Sequence, residues 1–225
     1  MPLDANVPTP SGLPVSLFVK PGTPHADLSS VAAKLLLAVL VGVVAAFAWS
    51  KHEDRIREQD KLARIASEIA GRPVGIHCPS FLAGLVDVHG EAGRVRFDDQ
   101  GRPPNHADLS PETCDALRHF KRVDFSCLDR HACGYSQFKA GWAAHTLAHE
   151  AFHLRGFEDE GVTECFALQN TAFVAEQLGL APQLARQLQQ WSYDKGFRNE
   201  PDDYRSPLCY ARGPLDLTPG TSTFP

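Results

Sequence analysis

Residues 149–164 read His149-Glu-Ala-Phe-His-Leu-Arg-Gly-Phe-Glu-Asp-Glu-Gly-Val-Thr-Glu164, and they connect the two strongest helical segments of the chain. Glycine commonly ends a helix, because it adopts a left-handed conformation without steric cost. The sequence therefore predicts a helix from Gln137 to Leu154 that ends at Gly156. A second helix is predicted from about Glu158 to Leu178 and ends at Gly179. So short a connection predicts two antiparallel helices.

Two histidines of the first helix have the spacing of metal ligands. His149 and His153 are four residues apart, so a helix places both imidazole rings on one face, where they can bind a single ion. Glu150 follows the first histidine and would lie beside that ion without binding it. A carboxylate there can deprotonate a water molecule whose pKa the metal has lowered. The motif predicts a Zn2+ site with Glu150 as the catalytic base.

A third ligand is expected close by, because catalytic zinc has three protein ligands and one open position. The acidic candidates after the turn are Asp159, Glu160 and Glu164. Glu160 and Glu164 are one helical turn apart and share a face of the second helix. That face offers one ligand and one neighbouring carboxylate, and the residues alone leave the choice among the three acids open.

This pattern resembles the zincin metallopeptidases, which carry HExxH on a helix. In the gluzincin branch, an ExxxD pattern on the next helix supplies the third ligand, and Glu160-Gly-Val-Thr-Glu164 is similar to it with glutamate in the last place. The resemblance implies that Glu160 binds zinc and that Glu164 fixes the tautomer of a ligating histidine. Six residues separate His153 from Glu160, which is shorter than the gluzincin spacing.

The metzincin branch provides an alternative, because its pattern HExxHxxGxxH matches His149 to Asp159 with aspartate as the last ligand. Metzincins also have a methionine turn below the metal, whereas the one methionine of this chain is Met1. The His-Glu…Thr-Glu-Cys arrangement is also similar to that of bacterial membrane proteins. These resemblances cover about residues 137–178.

Three further polar residues are candidates for the site. His145 lies one helical turn before His149, where it can orient the site, contact substrate or simply form hydrogen bonds. Arg155 and Tyr135 are candidates for the donor that stabilises an oxyanion beside the metal.

The first third of the chain predicts a membrane anchor. Residues 1–27 contain six prolines and few large apolar side chains, which predicts a disordered tail. Residues 28–50 form the predicted transmembrane helix, because Val31 to Trp49 is almost entirely apolar and long enough to cross a hydrocarbon core of about 30 Å. Residues 51–71 predict a charged juxtamembrane helix, and residues 72–225 the metallopeptidase-like domain.

The cysteines all follow the membrane segment and include no CxxC pair: Cys78, Cys114, Cys127, Cys133, Cys165 and Cys209. This pattern predicts up to three disulfides in an oxidising compartment, with their pairing left open. We expect Cys165 to join its helix to the loop that contains Cys127 and Cys133. Cys209 is expected to fix the extended C-terminal end, residues 201–225.

Two features of the sequence disagree about the side of the membrane on which the C-terminal domain lies. Basic residues from Lys51 to Arg64 directly follow the apolar span, which favours a cytoplasmic domain by the positive-inside rule. The cysteines favour the opposite side. We predict a single-pass protein of the cell membrane with an extracytoplasmic domain.

The remaining segments complete a mainly helical α+β domain. Alternating valines around a glycine-containing turn predict a β-hairpin from Leu85 to Phe97. A short helix is predicted to begin at Ser110-Pro111, and an amphipathic one spans about Pro182 to Tyr193. Residues 121–136 predict a loop closed by its cysteines.

The predicted activity is zinc-dependent hydrolysis of a peptide bond in a peptide or protein substrate. A lipid bilayer is the second expected partner, whereas a net charge of −5 argues against nucleic acid. The alternative is a membrane-anchored, disulfide-linked binding or scaffold module with a structural metal or none.

Overall fold

The computed structural model describes residues 28–79, 91–130, 132–221 and 224–225. The chain divides into two units, Met1–Trp49 and Ser50–Pro225. The tail predicted at residues 1–27 lies outside the described residues.

The first helix, α1 (Leu28–Ala70), contains both the predicted membrane segment and the predicted juxtamembrane helix. Its apolar N-terminal side chains are exposed, as at Leu36 and Trp49, and the segment is long and apolar enough to cross a membrane. The helix stops before Gly71, which has a φ of +69° as expected for a helix-ending glycine.

The last turns of α1 contribute to the core of the second unit. Leu62, Ile65, Ala66 and Ile69 are buried and recur at the spacing of one helix face. The charged stretch that follows the apolar span therefore ends as an amphipathic segment of the folded domain.

A small sheet lies beside the helices. It consists of β1 (Gly75–His77), β2 (Gly93–Arg94) and β3 (His106–Leu109), in the order β1-β3-β2. β1 is parallel to β3 and β2 is antiparallel to it. Part of the predicted hairpin, residues 85–90, lies outside the described residues. Its described part pairs with β3, whose alternate residues are buried in the core.

In the part of the chain that the structure describes, four helices form the body of the domain. They are α2 (Pro111–His119), α3 (Tyr135–Arg155), α4 (Glu160–Leu178) and α5 (Pro182–Lys195). The Ser110 side chain accepts a hydrogen bond from the Thr113 N–H and caps α2, as predicted. Gly156 and Gly179 end their helices with φ of +112° and +105°. The mainly helical α+β class is confirmed.

Three disulfides link Cys78 to Cys114, Cys127 to Cys133, and Cys165 to Cys209. The expected bridge from Cys165 to the Cys127–Cys133 loop is wrong. Those two loop cysteines close on each other with their Cα atoms 5.0 Å apart, which leaves Cys165 to hold Cys209.

We call residues 200–217 the C-terminal segment, and it packs along α4. A Cβ at Gly161 would lie 3.1 Å from the backbone nitrogen of Ser206, so only a glycine allows this approach without displacement. Further along α4, the Gln169 side chain donates to the Leu215 carbonyl and accepts from the Leu217 N–H. With the Cys165–Cys209 bridge, these contacts fix the C-terminal segment beside the α3–α4 hairpin.

Candidate metal centre

A tight connection between α3 and α4 sets the geometry of the site. Gly156 reverses the chain, and the Asp159 carboxylate accepts a hydrogen bond from the Val162 N–H, which caps α4. Asp159, the alternative ligand of the metzincin pattern, is therefore used as a helix cap. Of the described residues, it belongs to neither group that can hold a metal ion.

Three ligand atoms converge where the two helices meet. The Nε2 atoms of His149 and His153 are 3.0 Å apart, and Glu160 Oε2 lies 3.0 Å from the first and 3.3 Å from the second. The two histidines are buried and Glu160 is half-buried. The structure thus brings together the three residues expected to bind zinc.

The Nδ1 atom of each ring forms a hydrogen bond away from the ligand cluster. His153 Nδ1 lies 2.7 Å from the Phe157 carbonyl, which can only accept, so Nδ1 carries the hydrogen. His149 Nδ1 lies 2.9 Å from Glu164 Oε2 and donates to that carboxylate. In neutral rings, both Nε2 atoms therefore direct lone pairs toward Glu160. The two Nε2 atoms and Glu160 Oε2 are thus three acceptor atoms that face one another, an arrangement that suits a bound cation. Hydrogen bonds from Nδ1, such as those described here, commonly orient metal-binding histidines.

Without a metal ion, a proton has to take the place of the cation. Burial lowers the pKa of His149, but hydrogen bonds to Glu160 and Glu164 outweigh it and raise this pKa to about 10. Burial raises the pKa of Glu160, yet hydrogen bonds from His149 and His153 bring it down to about 2. The ligand cluster therefore favours an ionised carboxylate with a positive charge beside it.

Glu150 projects into the same region without joining the ligand cluster. Its side chain is buried, and its Oε2 atom has no hydrogen-bond partner among the described residues. Burial raises its pKa to about 7, against the opposing effect of His149 and His153. Gly93 of β2 lies so close that a Cβ there would be 2.6 Å from Glu150 Oε1.

A second buried layer supports His149. Glu164 Oε2 lies 2.9 Å from both His149 Nδ1 and His145 Nε2, so one carboxylate oxygen accepts from two rings. His145 Nδ1 is 3.1 Å from the Thr171 hydroxyl. Burial opposes ionisation of Glu164, but the nearby His145 and His149 lower its pKa to about 2. His145, Glu164 and His149 could also hold an ion themselves.

The ligand cluster opens onto a cleft of about 410 Å³, which we call the metal cleft. The C-terminal segment contributes Glu200 and Tyr204 to its wall, and sequence reasoning missed both. The Tyr204 ring stacks against His149 with centroids 5.9 Å apart. Burial and the nearby Glu160 raise the pKa of Tyr204, which keeps its hydroxyl protonated as a donor. In the sequence, the cysteine at position 209 was the feature that predicted a fixed position for the C-terminal segment.

The two predicted oxyanion donors lie elsewhere. Arg155 donates a hydrogen bond to the Ile69 carbonyl of α1 at 3.4 Å. Tyr135 is 73% exposed and lines a neighbouring cavity of about 390 Å³. Neither is among the described residues of the metal cleft.

In comparisons with known proteins, no protein-family model, curated protein or solved structure matches the chain.

Proposed function

We propose that the chain is a membrane-anchored, zinc-dependent peptide hydrolase. The observation that carries the proposal is the buried Glu150 carboxylate, whose Oε2 has no partner among the described residues, next to three converging ligand atoms. Leaving a buried polar atom unsatisfied costs about 1–3 kcal/mol, so such an atom in a cleft indicates a role toward a bound molecule.

His149, His153 and Glu160 would hold the ion through the atoms that face one another. Zn2+ bound there would supply Lewis-acid chemistry, polarising a carbonyl and lowering the pKa of a water molecule. Glu150 would take the proton from the attacking water, and its burial, which raises its pKa, favours its acceptance of that proton.

Tyr204 would supply the hydrogen-bond donor that the reaction needs. As the peptide carbonyl becomes tetrahedral, its oxygen gains negative charge, which a directed hydroxyl can stabilise. The Tyr204 ring is fixed against His149, so its hydroxyl belongs to the same cleft as Glu150.

We place the domain on the oxidising side of the cell membrane, anchored by α1. Three disulfides support this, because such bonds persist outside the reducing cytoplasm. An impermeant thiol reagent should label intact cells only after reduction. Labelling that requires cell lysis would put the domain on the cytoplasmic side.

Activity is tested on the full chain in detergent, loaded with one equivalent of Zn2+, with unfolded fluorescent casein as substrate. Wild type should cleave the substrate and Glu150→Gln should not, although both retain zinc. Glu158→Gln, which changes an exposed glutamate in the turn, is the matched control and should remain active. Zinc binding without cleavage by wild type would favour the non-catalytic module, and failure to bind zinc would overturn the metal site.

A further inference from the structure

The metal cleft contains more acidic side chains than one divalent ion can offset when all are ionised. Its described lining contains five glutamates, and Arg94 is the one permanently charged cation among these lining residues. Arg94 lies 3.7 Å from Glu91, which leaves Glu150, Glu160, Glu164 and Glu200. When all four are ionised, a divalent ion offsets two of their four charges. The cleft therefore attracts a positively charged ligand.

Besides Glu150 Oε2, a second carboxylate oxygen in the cleft lacks a donor among the described residues. Glu164 is 3% exposed, and while Oε2 accepts from two histidines, Oε1 has no hydrogen-bond partner among the described residues. A buried carboxylate is stable when both oxygens accept hydrogen bonds. The free Oε1 thus identifies a position for a donor that the described part of the chain does not provide.

Two neighbours make this position suitable for a cation. Glu200 lines the same cleft and lies near enough to Glu164 for the two carboxylates to interact electrostatically. The Trp142 ring lines the cleft beside His145, at 5.5 Å between centroids. Two carboxylates and an indole face are the groups that bind ammonium and guanidinium ions.

We propose that the metal cleft binds a cationic group of a peptide between Glu200 and the free oxygen of Glu164, with Trp142 at its side. The inference rests on the proposed function for its peptide ligand, and it adds the substrate class: peptides with a positive charge near the bond to be cleaved. The charge comes either from a basic side chain or from a free N-terminus.

The test measures binding alone, so it is independent of turnover. The zinc-loaded full chain with Glu150→Gln is titrated with acetyl-Gly-Arg-Gly-amide and with its citrulline counterpart, which has nearly the same shape but no charge. A second pair, Ala-Gly-Gly-amide with a free or an acetylated N-terminus, distinguishes the two sources of charge. We expect the charged member of at least one pair to bind about tenfold more tightly.

Adding Glu200→Gln should remove that preference without changing zinc content. Adding Glu176→Gln, which changes an exposed glutamate of α4 outside the cleft lining, should preserve it. Equal binding within both pairs, or a preference that survives Glu200→Gln, would overturn the inference. A charge preference in this titration, combined with a zinc-loaded wild type that does not cleave casein, would leave this inference standing and refute the proposed hydrolase.

Discussion

The Nε2 atoms of His149 and His153 lie 3.0 Å apart while both Nδ1 atoms are held by acceptors. At this distance the two nitrogens need either a proton on one of them or a metal ion between them. We expect zinc to displace that proton, so the purified full chain should contain near-stoichiometric zinc. His153→Ala and Glu160→Gln should lose it, because each removes one of three ligands, whereas Glu150→Gln should retain it.

Elemental analysis after dialysis measures this directly. Glu164→Gln should retain zinc at about 10–100-fold lower affinity, because it weakens the group that orients His149. His77→Asn, which changes an exposed histidine paired with Asp108, is the control and should bind like wild type. Zinc that survives His153→Ala would contradict the assigned ligand set.

Zinc binding should depend strongly on pH. In the metal-free protein the pKa of His149 is raised to about 10, so the ring is doubly protonated at neutral pH. The Nε2 proton has to leave before the nitrogen can bind an ion. Between about pH 7 and 10, apparent affinity should rise about tenfold per pH unit and level off above that range.

Calorimetry in buffers with different ionisation enthalpies should show about one proton released per zinc at pH 8. Proton release of zero would mean that His149 is already neutral in the metal-free protein.

Gly93→Ala should displace the proposed catalytic base, Glu150, without changing zinc binding. The added methyl would lie 2.6 Å from Glu150 Oε1, so the carboxylate has to move. Displacement of a catalytic group by about 1 Å costs on the order of 100-fold in rate. We expect a loss of that size in casein cleavage at unchanged zinc content. Gly134→Ala, whose methyl would lie 3.6 Å from Gln137, is the control that should stay active.

Tyr204→Phe should lower the turnover rate about 100-fold, the typical effect of removing one oxyanion donor. The phenylalanine ring keeps the stacking on His149, so zinc content and folding should not change. Tyr135→Phe removes an exposed hydroxyl outside the metal cleft and should have no effect. If the two variants behave alike, Tyr204 is not the donor.

Removal of the Cys165–Cys209 bridge with a double alanine variant should destabilise the domain. The bridge closes a loop with a sequence separation of 44, for which loop entropy gives about 4 kcal/mol. The same change at Cys127–Cys133, with a separation of 6, should cost about 2 kcal/mol. Denaturant unfolding of the two variants provides the comparison, and equal losses would contradict the loop-length argument.

The α3–α4 hairpin was predictable because its signals are local. Helical spacing places His149 and His153 on one face, and the glycines at 156 and 179 end the helices where the structure ends them. The distances among His149, His153 and Glu160 follow from this hairpin.

The cleft wall depends on contacts between distant parts of the chain. Tyr204 enters the site because Cys209 pairs with Cys165, and six cysteines do not reveal their pairing. The parallel pairing of β1 with β3 is likewise a contact between separated segments, so alternation along one segment could not identify it. Asp159 was ambiguous in sequence because a helix cap and a metal ligand use the same carboxylate.

The short turn after Gly156 also affects how the protein folds. The ligand atoms lie within eleven residues of sequence separation, on two helices joined by a connection that costs little entropy to close. Contacts between residues that are this close in sequence tend to form earlier in folding than contacts between distant segments. The hairpin that carries the candidate ligands can therefore close before Cys209 pairs with Cys165. The candidate metal ligands would then assemble first, and the C-terminal segment that lines the metal cleft would pack against them afterwards.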